Sequence, residues 1–340
     1  MAKPVRASKK NPCPVCRAEK WPCYQTANRE VAYCENVVSD ATDKDGLYRH
    51  FLVERDRSEW KPRPTLKIVK PAPPPAYASA DHLHLVYSTL LGQLGLSEER
   101  RKRLRARGLH LHQMYSLLYR DTPMKEEAEE LAADLAHLGL EGVPGFHRRG
   151  GRWRMVGCYP GTFVPYCDSR GRIRGLSYRL DEPMGKTKYL WVSSDPEARY
   201  DDGRQKYPGG AKVRVPLHFA RPELILTCSD IHLTEGSLKA QVAAELLGLP
   251  FIGAAGVVQW GEGFAERFKR WFPDKRAVLC FDSDWRTNEH VRHALEKLMA
   301  DLRDVGVRYF VRSWPQYPQA KGVDDLALML RQSACKGVAA

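Results

Sequence analysis

Residues 277–291, AVLCFDSDWRTNEHV, set two carboxylates, Asp282 and Asp284, directly after an apolar run. A short apolar run that ends in polar residues reads as a buried strand surfacing at the edge of a sheet. The same texture repeats on either side. DIHLTEG (230–236) is a strand ending in a Glu-Gly turn, SLKAQVAAELLG (237–248) an amphipathic helix and LPFIGAAG (249–256) a strand. GFAERFKRWF (263–272) and NEHVRHALEKLMADLRDVG (288–306) are helices, VRYFVRSW (307–314) a strand and VDDLALMLRQ (323–332) a last helix. Such alternation specifies a parallel sheet covered by helices, in which ligands bind at the carboxyl ends of the strands. Glu235, Asp282 and Asp284 all fall there.

The rest of the chain has a different character. At 340 residues it is long enough for two or three packed units. Lys and Arg outnumber Asp and Glu 54 to 41, a formal net charge of +13 that favours a polyanionic partner through counterion release. No apolar run approaches the roughly 20 residues needed to cross a bilayer. The opening MAKPVRASKK has no apolar stretch behind its basic residues, so a cytoplasmic location and no membrane partner are expected. In that reducing setting the nine cysteines are expected as thiols or metal ligands rather than disulfides.

Four of those cysteines fall within the first 34 residues, in CPVCRAEKWPCYQTANREVAYC. Cys13 and Cys16 form a Cys-x2-Cys knuckle, with Cys23 and Cys34 beyond it. Four thiolates complete a tetrahedral Zn2+ shell with no open position, which makes the expected site structural rather than catalytic. The competing reading, a redox Cys-x-x-Cys, leaves the other two cysteines unexplained. A zinc-binding domain is therefore expected over 1–60. The stretch 61–80, KPRPTLKIVKPAPPPAYASA, holds six prolines and reads as a stiff linker. Periodic apolar residues over 81–140 predict a helical spacer, whose six basic residues between Arg100 and Arg107 read as a solvated face or a binding surface. From 141 to 221 come Gly, aromatic and β-branched residues punctuated by Arg, with DSRG (168–171) as a tight turn between strands. The parallel sheet occupies 222–331 and a short tail 332–340. The fold class is α/β within a multidomain α+β chain.

Three carboxylates brought to one sheet rim repel unless a cation neutralises them, and hard oxygen ligands suit Mg2+ or Mn2+. Asp324 and Asp325 add two more at the start of the last helix, where the helix dipole tolerates negative charge. Taken singly, each of these acids also reads as a helix cap or a surface residue. Two metal ions held by the set would serve phosphoryl transfer.

A Glu-Gly after one strand and Asp-x-Asp after a later one resembles the TOPRIM domain of topoisomerases and bacterial primases. GRIRGLSYRL (171–180) followed by KYLWVSS (188–194) resembles the basic strand-rich module that precedes TOPRIM in DnaG-type primases. The layout of zinc ribbon, helical spacer with an Arg-Gly-Leu turn, basic module and TOPRIM is similar to primase-like replication proteins of plasmids, phages and integrative elements. That resemblance implies a DNA-dependent primase of a mobile element, making short primers on single-stranded DNA from nucleoside triphosphates. It implies Glu235 as metal-bound acid or general base, Asp282 and Asp284 as metal ligands, and Asp324 and Asp325 as accessory ligands. Arg179, Lys188, Lys239 and Lys321 would hold nucleotide phosphates or template. The aromatics Trp153, Tyr166, Tyr178, Tyr189 and Trp191 could stack on unpaired bases, with one or two expected at the surface. PMGKT (183–187) lacks the first glycine of a P-loop, because position 180 is Leu180, so any helicase is expected to be a separate partner. Two other activities fit the same residues: a metal-dependent nuclease using water as nucleophile, and a non-catalytic DNA-binding adaptor.

Overall fold

The structure is a computed structural model that describes residues 3–20, 22–43, 46–52 and 76–338, with side chains to residue 334. The proline-rich stretch expected as a linker lies outside the described residues as far as position 75. Contacts divide the chain into two units. The first draws on Met1–Tyr77, Ala128–Val156 and Ser193–Lys212, the second on Ala78–Glu127, Gly157–Val192 and Val213–Ala340. The strands of 141–221 therefore fall in both.

Along the chain, β1 (Val5–Arg6), β2 (Tyr24–Gln25), β3 (Val31–Cys34) and β4 (Tyr48–Phe51) form an antiparallel sheet in that order. Helices α1 (Ala80–Gln93), α2 (Glu98–Ala106) and α3 (Leu111–Ser116) follow, then the short strand β5 (Arg120–Asp121). Ser79 caps α1 by accepting a hydrogen bond from the His82 amide, and Leu83, Val86, Tyr87, Leu90 and Leu91, three and four residues apart, bury one face. Next come α4 (Lys125–Asp134) and the hairpin β6 (Phe146–Arg149) and β7 (Arg152–Met155). Strands β8 (Gly161–Cys167), β9 (Ile173–Met184) and β10 (Thr187–Trp191) join β5 in a second antiparallel sheet, ordered β10-β9-β8-β5. The turn from β8 to β9 is the expected DSRG: Asp168 Oδ1 accepts from the amides of Arg170 (2.9 Å) and Arg172 (3.1 Å).

The remaining elements are β11 (His218–Ala220), β12 (Asp230–Glu235), α5 (Ser237–Leu247), β13 (Phe251–Ala254), α6 (Phe264–Trp271), β14 (Arg276–Leu279), α7 (Glu289–Asp304), β15 (Tyr309–Val311) and α8 (Val323–Val338). Their sheet is ordered β11-β13-β12-β14-β15, with β13, β12, β14 and β15 parallel and β11 antiparallel at one edge. Alternate side chains feed two cores. Ile231, Leu233, Ala277 and Leu279 join the cluster under α6 and α7, while Phe251, Val278 and Cys280 pack with Ala240, Ala243 and Ala244 of α5 and Val323 of α8. Burial on both faces is what makes these strands read as continuous apolar runs. Among the described residues no helix is long and apolar enough to cross a membrane.

Candidate functional site

In the first unit the ligating atoms of Cys13, Cys16, Cys23 and Cys34 all lie within 4.8 Å of one another. Among the described residues they are the only such group of three or more His, Cys, Asp or Glu. Local turns build the cluster. Cys13 ends a loop whose return is fixed by Arg17 N donating to Cys13 O (2.8 Å), with Arg17 at φ +60. Cys34 closes β3, and Cys23 precedes β2, the strand paired with it. The Cys16 and Cys23 sulfurs are 3.8 Å apart. A tetrahedron with bonds of about 2.3 Å has edges of about 3.8 Å, so the spacing fits a Zn2+ shell. Amide groups turn toward the sulfurs: Glu35 N to Cys23 Sγ (3.5 Å), Asn36 N to Cys34 Sγ (3.4 Å) and Asn36 Nδ2 to Cys16 Sγ (3.3 Å). Such donors stabilise thiolates around a metal. The Cys13 thiol is held well below its ordinary value by hydrogen bonds from Cys23 and then Cys34, while its bond with Cys13 pushes Cys23 up to about 12. Glu35, next to Cys34, is clamped by Arg149 Nε (2.6 Å) and Arg204 Nη1 (3.1 Å), tying the cluster to the β6–β7 hairpin.

In the second unit register gathers the acids. Leu233 stands opposite Leu279, so Glu235, at the end of β12, is level with Phe281 and beside Asp282 on the carboxyl rim. Thr234 Oγ1 donates to Cys280 O (2.9 Å), joining the carboxyl ends of β12 and β14. Lys239, on the first turn of α5, reaches back to this rim. Its Nζ donates to Glu235 Oε1 at 2.9 Å and to Asp282 Oδ1. Lys321 Nζ lies 2.9 Å from Asp284 Oδ2 and 3.8 Å from Asp282 Oδ2. Asp324 and Asp325 open α8. Asp324 is buried and paired with Arg107, the C-cap of α2, whereas Asp325 Oδ2 accepts from the Gly322 amide (3.1 Å). A Cβ at Gly322 would lie 2.5 Å from Asp324 Oδ1 and 3.1 Å from Lys239 Cε, so a larger residue there would displace one of those side chains.

Burial pushes the Glu235 carboxyl up, against the pull of Lys239. Burial acts on Asp282 too, but the charge and hydrogen bond of Lys239 outweigh it and hold that carboxyl down. Burial lowers Lys239, yet the charges of Glu235 and Asp282 carry it above its ordinary value, so it stays an ammonium. Asp324 is raised by burial, with Arg107 opposing. Asp284 Oδ1 and Asp324 Oδ1 are buried with no hydrogen-bond partner. Among the described residues the rim acids do not bring three ligand atoms within 4.8 Å of one another, because Lys239 and Lys321 hold their oxygens, but Asp282 Oδ2 and Asp284 Oδ1 offer hard oxygens of the kind a divalent cation takes.

These features meet known structures in comparison. The chain superposes on the zinc-binding and RNA polymerase domains of the Aquifex aeolicus primase with a TM-score of 0.54 at 14% identity, covering 94% of this chain and 76% of that one. The fold is that of a DnaG-type primase core. The RNA polymerase domain of Mycobacterium tuberculosis primase DnaG gives a TM-score of 0.55 at 16% identity, over 76% of this chain and 82% of that one. A DnaG primase catalytic domain bound to single-stranded DNA gives 0.52 at 14% identity, over 76% and 77%. A family profile described as "Domain of unknown function (DUF3854)" matches residues 227–333, the parallel-sheet region. No curated protein matches by sequence.

Within this primase fold the other anticipated residues separate. Arg179 and Lys188 lie on the antiparallel sheet β10-β9-β8-β5, not on the acid-bearing sheet. Arg179 is half-buried opposite Tyr189, and Lys188 is exposed. Of the five aromatics, Tyr189 is exposed, Tyr166 and Tyr178 are buried, and Trp153 and Trp191 are half-buried. Lys239 and Lys321 sit among the acids. Arg107 was not anticipated: the basic run around it reads as one face, yet Arg100 bonds Asp121 and Asp181, Arg103 bonds Asp181, and Arg107 reaches Asp324. The available signal is Gly108. At φ +97, with the Leu246 and Leu328 side chains 2.9 and 3.1 Å from where a Cβ would lie, it lets the end of α2 approach α5 and α8.

Proposed function

We propose that this chain is a DNA-dependent primase of a mobile genetic element, a cytoplasmic enzyme with a TOPRIM catalytic domain and a structural zinc site. It joins nucleotides on single-stranded DNA and works with a separate replicative helicase. The observation that carries the reading is the rim itself. Glu235, at the end of β12, and Asp282, just beyond the end of the adjacent β14, share one ammonium, with Asp284 two residues on. The primase-type fold and the net charge of +13 support it.

In this reading a primer 3′-hydroxyl attacks the α-phosphorus of an incoming nucleoside triphosphate, a new P–O bond forms and pyrophosphate leaves. Asp282 and Asp284, with Glu235 beside them, would hold a Mg2+ or Mn2+ ion, which would supply charge neutralisation at the reacting phosphate. Glu235, whose carboxyl is raised by burial, accepts the hydroxyl proton. Lys321, largely in solvent beside Asp284, binds the triphosphate. Asp324 and Asp325 act from the start of α8 as accessory acids. Arg179 and Lys188 hold the template backbone, and Tyr189 offers a stacking face. The four thiolates would hold Zn2+, which would stabilise the template-gripping module.

The test is synthesis. Full-length protein with single-stranded template, labelled nucleotides and Mn2+ makes short oligomers, and Asp282→Ala abolishes them while DNA affinity stays within about twofold. Unchanged synthesis in Asp282→Ala refutes the assignment. Degradation of labelled template without added nucleotides assigns the same acids to a nuclease.

A further inference from the structure

The rim holds two ammonium groups that differ in how readily they leave. Lys239 is 16% exposed and bonded to Glu235 and Asp282 at once. It sits on the first turn of α5, where the helix dipole disfavours a cation. The two carboxylates, not the helix, therefore set its place. Removing a buried ammonium from both partners leaves uncompensated buried charge. Lys321 is 58% exposed and bonds Asp284 from the loop before α8. An ion pair with that much surface in water separates at little cost.

The oxygens divide accordingly. Asp282 gives Oδ1 to Lys239 and turns Oδ2 toward Lys321. Asp284 gives Oδ2 to Lys321, while its Oδ1 is buried with no hydrogen-bond partner. That oxygen is an acceptor free to take a further ligand. Charge points the same way. Glu235, Asp282 and Asp284 carry three negative charges when ionised; Lys239 and Lys321 balance two of them, and once Lys321 gives way a single divalent ion balances the two that Lys239 does not.

Resting on the nucleotidyl-transfer reading, we propose that Lys239 is a resident cation that stands in for one of the two divalent ions a paired-metal acid site holds. The chain then takes one divalent ion, at Asp282 and Asp284, where Lys321 gives way. Lys239 is a positioning residue: it fixes Asp282 Oδ1 and so presents Oδ2 to the ion. The ammonium nitrogen already occupies the space between Glu235 Oε1 and Asp282 Oδ1, so a divalent ion cannot take that same place while Lys239 is there.

The experiment counts MnCl2 bound by the full-length, zinc-loaded protein, using electron paramagnetic resonance of free Mn2+ and checking zinc content before and after. One Mn2+ per chain is expected for the wild type, two for Lys239→Met, one for Lys239→Arg and at least tenfold weaker binding for Asp284→Asn. Two ions in the wild type, or one in a folded Lys239→Met, overturns the proposal and leaves the metal-dependent reading standing. No Mn2+ bound by any variant overturns both. Should Lys239→Met fail to fold, judged by zinc content and circular dichroism, the wild-type count decides: one supports the proposal and two overturns it.

Discussion

Arg107→Ala isolates the buried charge beneath the rim. Asp324 is 2% exposed, its Oδ2 faces Arg107 and its Oδ1 has no hydrogen-bond partner. Taking one partner from a buried ion pair costs about 3–5 kcal/mol, because the charge left behind has lost its compensation. Arg107 is itself about a quarter exposed, which places the loss near the lower figure, about 3 kcal/mol, or roughly a hundredfold in the folding equilibrium. The loss depends on pH with a definite sign. Burial already raises the Asp324 carboxyl, and without Arg107 nothing nearby matches that pull downward. A raised carboxyl binds its proton more tightly in the folded state. The stability it confers is complete below the unfolded value of about 4 and is lost as pH rises through the folded value. The deficit of Arg107→Ala is therefore full at pH 8 and shrinks toward pH 5. Urea unfolding followed by tryptophan fluorescence, with zinc retained, measures it, and adding Asp324→Asn to Arg107→Ala restores most of the loss at pH 8. A deficit under about 1 kcal/mol at pH 8, or one equal at both pH values, refutes this account of the pair.

Cys23→Ser removes one of four thiol ligands and is expected to weaken zinc retention at least about a hundredfold in competition with a chromogenic chelator; wild-type retention would show that the four sulfurs do not act together. Tyr189→Ala, at a side chain 41% exposed, is expected to weaken single-stranded DNA binding about tenfold, in line with about 1–3 kcal/mol per stacked base, without changing thermal stability. Fluorescence anisotropy with a labelled oligonucleotide reads the change, and an unaltered affinity removes Tyr189 from the template path.

Much of this organisation can be read from the chain. Cys13 and Cys16 announce a knuckle by spacing alone, and the apolar runs ending at Glu235 and before Asp282 announce parallel strands, because burial on both faces leaves no polar alternation. The two units are harder to read. Ala128–Val156 and Ser193–Lys212 join the thiol-bearing segment through contacts distant in sequence, such as Arg149 and Arg204 on Glu35, which no local periodicity encodes. Lys239 illustrates the same difficulty at the rim. Four residues after Glu235 and near a helix N-terminus, it reads as a phosphate ligand in solvent, and only the register of β12 against β14 brings Asp282 within its reach. Arg107 is hidden for a similar reason: six basic residues look like one solvated face, although their partners lie on different elements.

The most direct test of the rim is crystallographic. Crystals of the full-length, zinc-loaded protein soaked in MnCl2 are predicted to give an anomalous peak bonded to Asp282 and Asp284 at about 2.0–2.3 Å, with Lys321 turned away and Lys239 still between Glu235 and Asp282. A map with the zinc peak at the four sulfurs but none at the carboxyl rim contradicts the account.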